Sequence, residues 1–144
     1  ISVWAQALKK KLINSVNNRL AWRVNSRFVP TTNLQRAAEF TFANMRDYYA
    51  QFAPDWDESK VLSVTANLIN YDIQIDGDTV GVMRLEYEGN TCILRDLQVI
   101  PSAQNKGIGS AAIKEAKRLA LEANSNSLTL RVFKISPAVS LLNE

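Results

Sequence analysis

Apolar residues recur every fourth position at the start of the chain, at Trp4, Leu8, Leu12, Val16 and Leu20, and Val3, Ala7 and Ile13 widen the stripe. This period predicts an amphipathic helix over 2–20, with Lys9, Lys10 and Lys11 on its solvent side. A basic amphipathic pattern is unspecific. A membrane surface or an acidic partner is one reading, and packing on its own domain or on a second subunit is the plainer one. Ala21-Trp-Arg-Val24 reads as a short strand and Pro30-Thr-Thr-Asn33 as a loop. Asn33 or Thr32 is suited to cap a helix running from Leu34 to Phe52, which Pro54 ends. Asp55-Trp-Asp57 makes the next loop and cap. Val61, Leu62, Val64, Thr65, Leu68 and Ile69 predict a further helical face reaching about Asn70. The aromatics Tyr48, Tyr49, Phe52 and Trp56 are read as core rather than as a pocket lining.

The period then drops from four to two. Ile73 and Ile75 alternate with polar neighbours, and Asp76-Gly77-Asp78 is a hairpin turn signal. Val80, Val82 and Leu85 to Tyr87 form the return strand, Glu88-Gly-Asn90 a second turn, and Thr91 to Ile100 a third strand. Three strands joined by tight turns predict an antiparallel meander. A helix follows from Gly107 to Ala123, with Ile108, Ala112, Leu119 and Ala123 toward the core. Leu128, Leu130 and Val132 alternate in a strand over Ser127 to Phe133, and the crossover is long enough for parallel pairing. Ser136-Pro137 opens a last helix. The pattern as a whole is mixed α/β, one sheet with helices on its faces, in a single domain over 1–144.

Composition narrows the function classes. Of 144 residues 47% are hydrophobic, enough for a core. The one cysteine, Cys92, rules out an internal disulfide. No histidine is present, so the chain offers no imidazole to a zinc site or a His-based triad unless a partner supplies it. No metal is expected. No apolar run reaches bilayer length, and no signal peptide pattern opens the chain, which predicts a cytoplasmic setting without membrane association. A net charge of +3 is weak evidence for nucleic acid, and none is expected as a partner.

The chemistry concentrates at the junction of the third strand and the following helix. Two glycines, Gly107 and Gly109, open that helix, preceded by Lys106. A helix start presents unpaired N–H groups and a positive dipole end, an anion site that needs no charged side chain. Glycine lets a bulky phosphate reach the main chain and permits unusual φ. Gln104 to Ser110 therefore reads as a diphosphate cradle, against the plainer reading of a tight turn with glycines for packing. The lysine precedes the glycine, so there is no P-loop. The strand after the helix ends in Phe133-Lys134, with no acidic residue for a ribose, which argues against a dinucleotide fold.

The segment Leu97-Gln-Val-Ile-Pro-Ser-Ala-Gln-Asn-Lys-Gly-Ile-Gly-Ser-Ala-Ala-Ile113 resembles the central motif of the GNAT N-acetyltransferase superfamily. Its Gln/Arg-x-x-Gly-x-Gly/Ala hallmark is met by Gln104, Gly107 and Gly109, and the element order from Ala21 to about Leu142 is similar too. The resemblance implies a splayed mixed sheet holding acetyl-CoA between Thr91–Ile100 and Ser127–Phe133. Main-chain groups at Leu97, Gln98 and Val99 would pair with the pantetheine arm like an added strand. Gln104 and the amides of Asn105, Lys106, Gly107, Ile108, Gly109 and Ser110 would hold the pyrophosphate. An N–H near Val99 would hold the oxyanion as an amine attacks the thioester.

No catalytic residue is assigned. Asp96 and, less so, Glu86 are candidate bases, each more plainly read as a paired or solvated acid. The family often places an asparagine at the start of the last helix and a proton-donating tyrosine about six residues on. Ser136 and Leu142 stand at those positions here, and leucine donates no proton. Tyr48 or Tyr49 could stand in as the donor, though nothing in the sequence shows it. The family chain also continues through two more strands, so the sequence predicts a C-terminally truncated GNAT-like fold with an extra N-terminal helix. The edge left on Ser127–Phe133 predicts a homodimer. Two functions follow: an acetyl-CoA-dependent N-acetyltransferase acting on a primary amine of a small molecule, peptide or protein, or a truncated CoA-binding or interaction module without activity.

Overall fold

The computed structural model describes residues 25–131. The expected helix over 2–20, the strand candidate over 21–24, residues 132–133 of the last strand, and Ser136 and Leu142 with their helix lie outside the described residues. Five strands, β1 (Ser26–Pro30), β2 (Ile69–Ile75), β3 (Asp78–Glu88), β4 (Thr91–Val99) and β5 (Ser127–Leu130), form one sheet in that order. The junctions from β1 to β4 are antiparallel, and β4–β5 is parallel. Helices α1 (Leu34–Asn44), α2 (Arg46–Phe52) and α3 (Glu58–Thr65) lie between β1 and β2 in the chain, and α4 (Ile108–Glu122) makes the crossover. No helix among the described residues is long and apolar enough to cross a membrane.

The expected meander, its turns and the parallel crossover are all present. Asn33 caps α1 by accepting from the Arg36 N–H at 3.0 Å, and Asp57 caps α3 through the Lys60 N–H at 2.8 Å. Three expectations need correction. The helix over 34–52 is two helices that meet at Met45, whose φ of −108° and ψ of 9° leave the helical region. The helical face expected to reach Asn70 stops at Thr65, and Ile69 and Asn70 begin β2 instead. Leu68 and Ile69 fit a four-residue period by chance, but Asn70 bonds back to the Thr65 and Leu68 carbonyls and closes the helix end. Ala123 is exposed rather than core, because the α4 stripe runs through Ile108, Ala112, Ala116 and Ala120, with Ile113 beside it.

That stripe packs on one sheet face, against Ile73, Met83, Leu85, Cys92 and Leu94. Burying each such aliphatic side chain contributes roughly 1.5–3 kcal/mol. The other face carries α1–α3, whose own small core joins Ala38, Met45, Tyr49, Ala53 and Val61.

One irregularity sorts β4 between the faces. Leu85 pairs with Leu94 but Arg84 pairs with Asp96, so Arg95 is an extra residue, a β-bulge. Before it, Cys92 and Leu94 face α4. After it the phase reverses: Leu97 and Val99 face α4, while Asp96 and Gln98 face α1.

Candidate functional site

The bulge also determines which main-chain groups of β4 are spoken for. The Ile100 N–H donates to the Val80 carbonyl at 2.9 Å, so Ile100 points toward β3. Strand alternation then turns Gln98 and Asp96 toward β3, and Val99 and Leu97 toward the other edge. β5 pairs with that edge only from Thr91 to Leu94, with a last bond from the Arg131 N–H to the Leu94 carbonyl at 3.0 Å. Among the described residues, the Leu97 and Val99 edge of β4 thus has no strand beside it. Gln104 takes up one group there: its Nε2 donates to the Val99 carbonyl at 3.0 Å. Among the described residues, the Val99 N–H and both main-chain groups of Leu97 have no strand partner.

The chain leaves β4 through a 3-10 turn at Pro101–Ala103 and enters α4. Asn105 (φ 62°) and Gly107 (φ 83°) are both left-handed. That conformation strains any residue with a Cβ other than asparagine or aspartate, which explains the glycine at the helix cap. No side chain caps α4, and its first closing bond runs from the Ala111 N–H to the Gly107 carbonyl. The amides of the first turn are therefore free for an anion. The Ser110 hydroxyl is buried and has no hydrogen-bond partner among the described residues. A buried polar atom without a partner is costly, and an anion oxygen at the helix start would satisfy it. Lys106 is exposed alongside, whereas the Ile108 side chain is buried in the core, leaving only its amide for the site.

Behind β4, on the α1 face, runs a buried polar chain. Arg84 is fully buried. Its Nε donates to Asn70 Oδ1 at 2.6 Å, and its Nη1 to Asp96 Oδ2 at 2.7 Å and Thr41 Oγ1 at 2.9 Å. Gln98 Nε2 donates to Asp96 Oδ1 at 2.9 Å, and Asn44 Nδ2 donates to Gln98 Oε1 at 2.9 Å. Tyr49 lies against this chain with its hydroxyl on Met45 Sδ at 3.2 Å. Burial pushes its phenol well above the usual range, and the nearby Asp96 charge adds to that. Burial raises Tyr48 as well.

The site residues expected from sequence thus divide. Leu97 and Val99 share one edge of β4, and Gln104 ties the segment Gln104–Ser110 to that edge through the Val99 carbonyl. Gln98, implied beside them, sends its side chain into the network on the other face. Asp96 is not a free base: its carboxylate is buried and engaged by Arg84 and Gln98. Glu86 is an ion-pair partner of Arg95 at 2.7 Å. Tyr49 is core as expected, but Phe52 is 53% exposed and lies tilted against Tyr48 with ring centroids 4.8 Å apart. Sequence reasoning missed Arg84, Asn44 and Asn70. Charged and amide residues in strands and helices read as surface unless the bulge that pairs them is known.

The model of the acetyltransferase (GNAT) family matches residues 31–140. No curated protein matches the sequence significantly. Among solved structures, a ribosomal-protein-alanine N-acetyltransferase from Brucella melitensis biovar Abortus 2308 superposes with a TM-score of 0.57 at 19% identity, covering 82% of this chain and 88% of that one. The ribosomal-protein-S18-alanine N-acetyltransferase from Escherichia coli gives 0.57 at 16% identity over 82% and 74% of the two chains. A GNAT family acetyltransferase from Brucella melitensis, solved in complex with acetyl-CoA, gives 0.57 at 17% identity over 75% and 76%. At these identities the likeness is one of fold.

Proposed function

The chain belongs to the GNAT family of acetyltransferases, and from that premise we propose that it transfers an acetyl group from acetyl-CoA to a primary amine. One observation carries the reading: an uncapped helix start, with Gly107 at φ 83°, follows a strand edge that has no partner among the described residues. The residues present fit acetyl-CoA. The first-turn amides of α4 and the partnerless Ser110 hydroxyl suit its diphosphate, and the Leu97 and Val99 edge suits an extended arm bearing amides. A structural neighbour with this fold was solved with that ligand.

When bound, acetyl-CoA supplies the thioester whose acyl group the amine receives. The chain contributes position and electrostatics. Leu97 and Val99 orient the arm along β4, and the Val99 N–H is the donor available to a carbonyl oxygen in the cleft. Gln104 fixes the strand end by holding the Val99 carbonyl. Asp96, tied to Arg84, keeps Gln98 in place and does not accept the amine proton itself. Both of its carboxylate oxygens are already taken up, one by Arg84 and the other by Gln98.

Calorimetry with acetyl-CoA tests the cradle. Binding should weaken at least tenfold in Gly107→Val and in Gly109→Val, and unchanged affinity in both would remove the reading. Thiol release across an amine panel tests transfer. Cys92 is buried and its thiol is pushed up by that burial, so a thiol reagent reads released CoA without background from the native protein. Binding without turnover across the panel would favour the inactive module. A homodimer is part of the same reading, and a monomer by light scattering at micromolar concentration overturns that part alone.

A further inference from the structure

The Val99 N–H belongs to the peptide unit whose carbonyl is that of Gln98. The unit is planar and trans, so the two groups point opposite ways and turn together. Whatever holds Gln98 therefore aims the Val99 N–H. On the β3 side the hold is close, because a Cβ on Gly81 would stand 2.3 Å from the Gln98 carbonyl oxygen. At the next residue Gln104 Nε2 holds the Val99 carbonyl at 3.0 Å. The opposite edge, to which the Val99 N–H points, has no strand partner among the described residues.

The remaining hold is the Gln98 side chain, which is buried on the α1 face. Its Nε2 donates to Asp96 Oδ1 at 2.9 Å and to Met45 Sδ at 3.1 Å, and its Oε1 accepts from Asn44 Nδ2 at 2.9 Å. The amide is thus engaged as donor and as acceptor, by β4 itself and by the residues where α1 meets α2. Two routes run from α1 to this one side chain. Asn44 reaches it directly. Arg84 donates to the Thr41 hydroxyl and the Ala37 carbonyl of α1, and its bond to Asp96 carries the hold onward to Gln98. An aliphatic side chain here would bury as well, but it would leave the twist of the strand to packing alone. Hydrogen bonds are directional, and an amide engaged on both sides fixes that twist.

Resting on the transferase reading, we propose that Gln98 is a positioning residue for acetyl transfer: with Asn44 and Asp96 it aims the Val99 N–H at the thioester carbonyl oxygen of acetyl-CoA. It touches neither reactant. A donor fixed before charge gathers on that oxygen costs no reorganisation when it is used. Arg84 acts one step further back, by holding Asp96.

The probe is acetyl-CoA labelled with carbon-13 at the thioester carbonyl, added to the whole chain, so that no acceptor amine is needed. A hydrogen bond to the carbonyl oxygen moves its NMR signal downfield. Bound to the wild-type protein, the signal should lie downfield of that of free acetyl-CoA. In Gln98→Leu most of that displacement should be lost. Affinity by calorimetry should stay within about threefold, because the first-turn amides of α4 that suit the diphosphate are untouched. A merely structural role would lower the melting temperature and leave the signal where it was. Gln98→Leu strands the Asn44 and Asp96 groups it had paired, so a second variant guards against misfolding. Asn44→Ala, at a half-buried helix end, cuts one of the two routes and should move the signal part of the way back. A bound signal no different from that of free acetyl-CoA overturns the inference. So does a displacement that survives unchanged in Gln98→Leu or, where that variant does not fold, in Asn44→Ala. A larger loss of affinity in Gln98→Leu overturns it too, since the whole edge would then have moved. None of these outcomes touches the cofactor reading, which fails separately if acetyl-CoA does not bind the wild-type protein.

Discussion

At the scale of single residues, the buried guanidinium of Arg84 decides most. It meets four partners with no exposure to water, and its charge is balanced by Asp96. Removing one member of such a pair strands the other, whereas removing both does not. Arg84→Ala should therefore cost about 3–5 kcal/mol, read from urea denaturation midpoints. The double variant Arg84→Met with Asp96→Leu should cost clearly less than the two single changes added together. Strict additivity would mean the charges do not depend on each other. The phenols give a second prediction. All four tyrosines are raised by burial, Tyr87 to about 12 with the neighbouring Cys92 adding to the effect, and Tyr49 further still. Below pH 10 both folded and unfolded chains keep these protons. As pH rises from 10 toward the folded values, the unfolded chain releases protons first, so stability falls across that window. Ultraviolet absorbance should show tyrosinate forming later in the native protein than in urea, and the melting temperature should decline from pH 10 upward. A native titration centred at 10 would contradict the burial. None of this was visible in the sequence. Asp96 was noticed for its place on a strand, but its partner lies twelve residues away across a bulge.

At the scale of elements, the sequence spoke most clearly where local chemistry acts alone. Turn residues and caps marked the meander and the starts of α1 and α3, because those signals need no tertiary partner. It spoke poorly where packing overrides pattern, as at Met45, at Ile69 and Asn70, and in the absence of any strand expectation over Ser26–Pro30. β1 pairs along its whole length with β2, a contact that alternation alone does not announce. The fit of β3 to β4 is tighter than pattern shows. A Cβ on Gly81 would sit 2.3 Å from the Gln98 carbonyl oxygen and 3.1 Å from Ile73 Cδ1. Gly81→Ala must push β4 outward at the residue adjoining Leu97 and Val99. We expect a loss of about 1–3 kcal/mol in stability together with several-fold weaker acetyl-CoA binding. A variant that is destabilised yet binds normally would show that β4 yields away from the cleft.

At the scale of the molecule, the fold class, the order of elements and the glycine-opened start of α4 were legible, because a strand, a turn and that helix are contiguous in sequence. The buried polar chain was not, since it depends on the way α1 crosses β2, β3 and β4. If the cleft binds only the folded chain, acetyl-CoA must stabilise it. At a hundredfold excess over Kd the gain is about 2.7 kcal/mol, seen as a raised melting temperature. Gly107→Val should lose that rise, and equal rises in both proteins would place the ligand elsewhere.

The extra residue at Arg95 has a further bearing, on length rather than on chemistry. It acts as a phase shifter in an otherwise regular ribbon: delete it, and every position from Asp96 to Val99 swaps sides. Acid and amide would be driven into the oily layer under α4, and the two aliphatic residues would be thrust among the ions. A systematic scan of one-residue insertions and deletions should accordingly find this short stretch far less forgiving than the hairpin tip at Asp76–Gly77, where a spare residue has room to loop out.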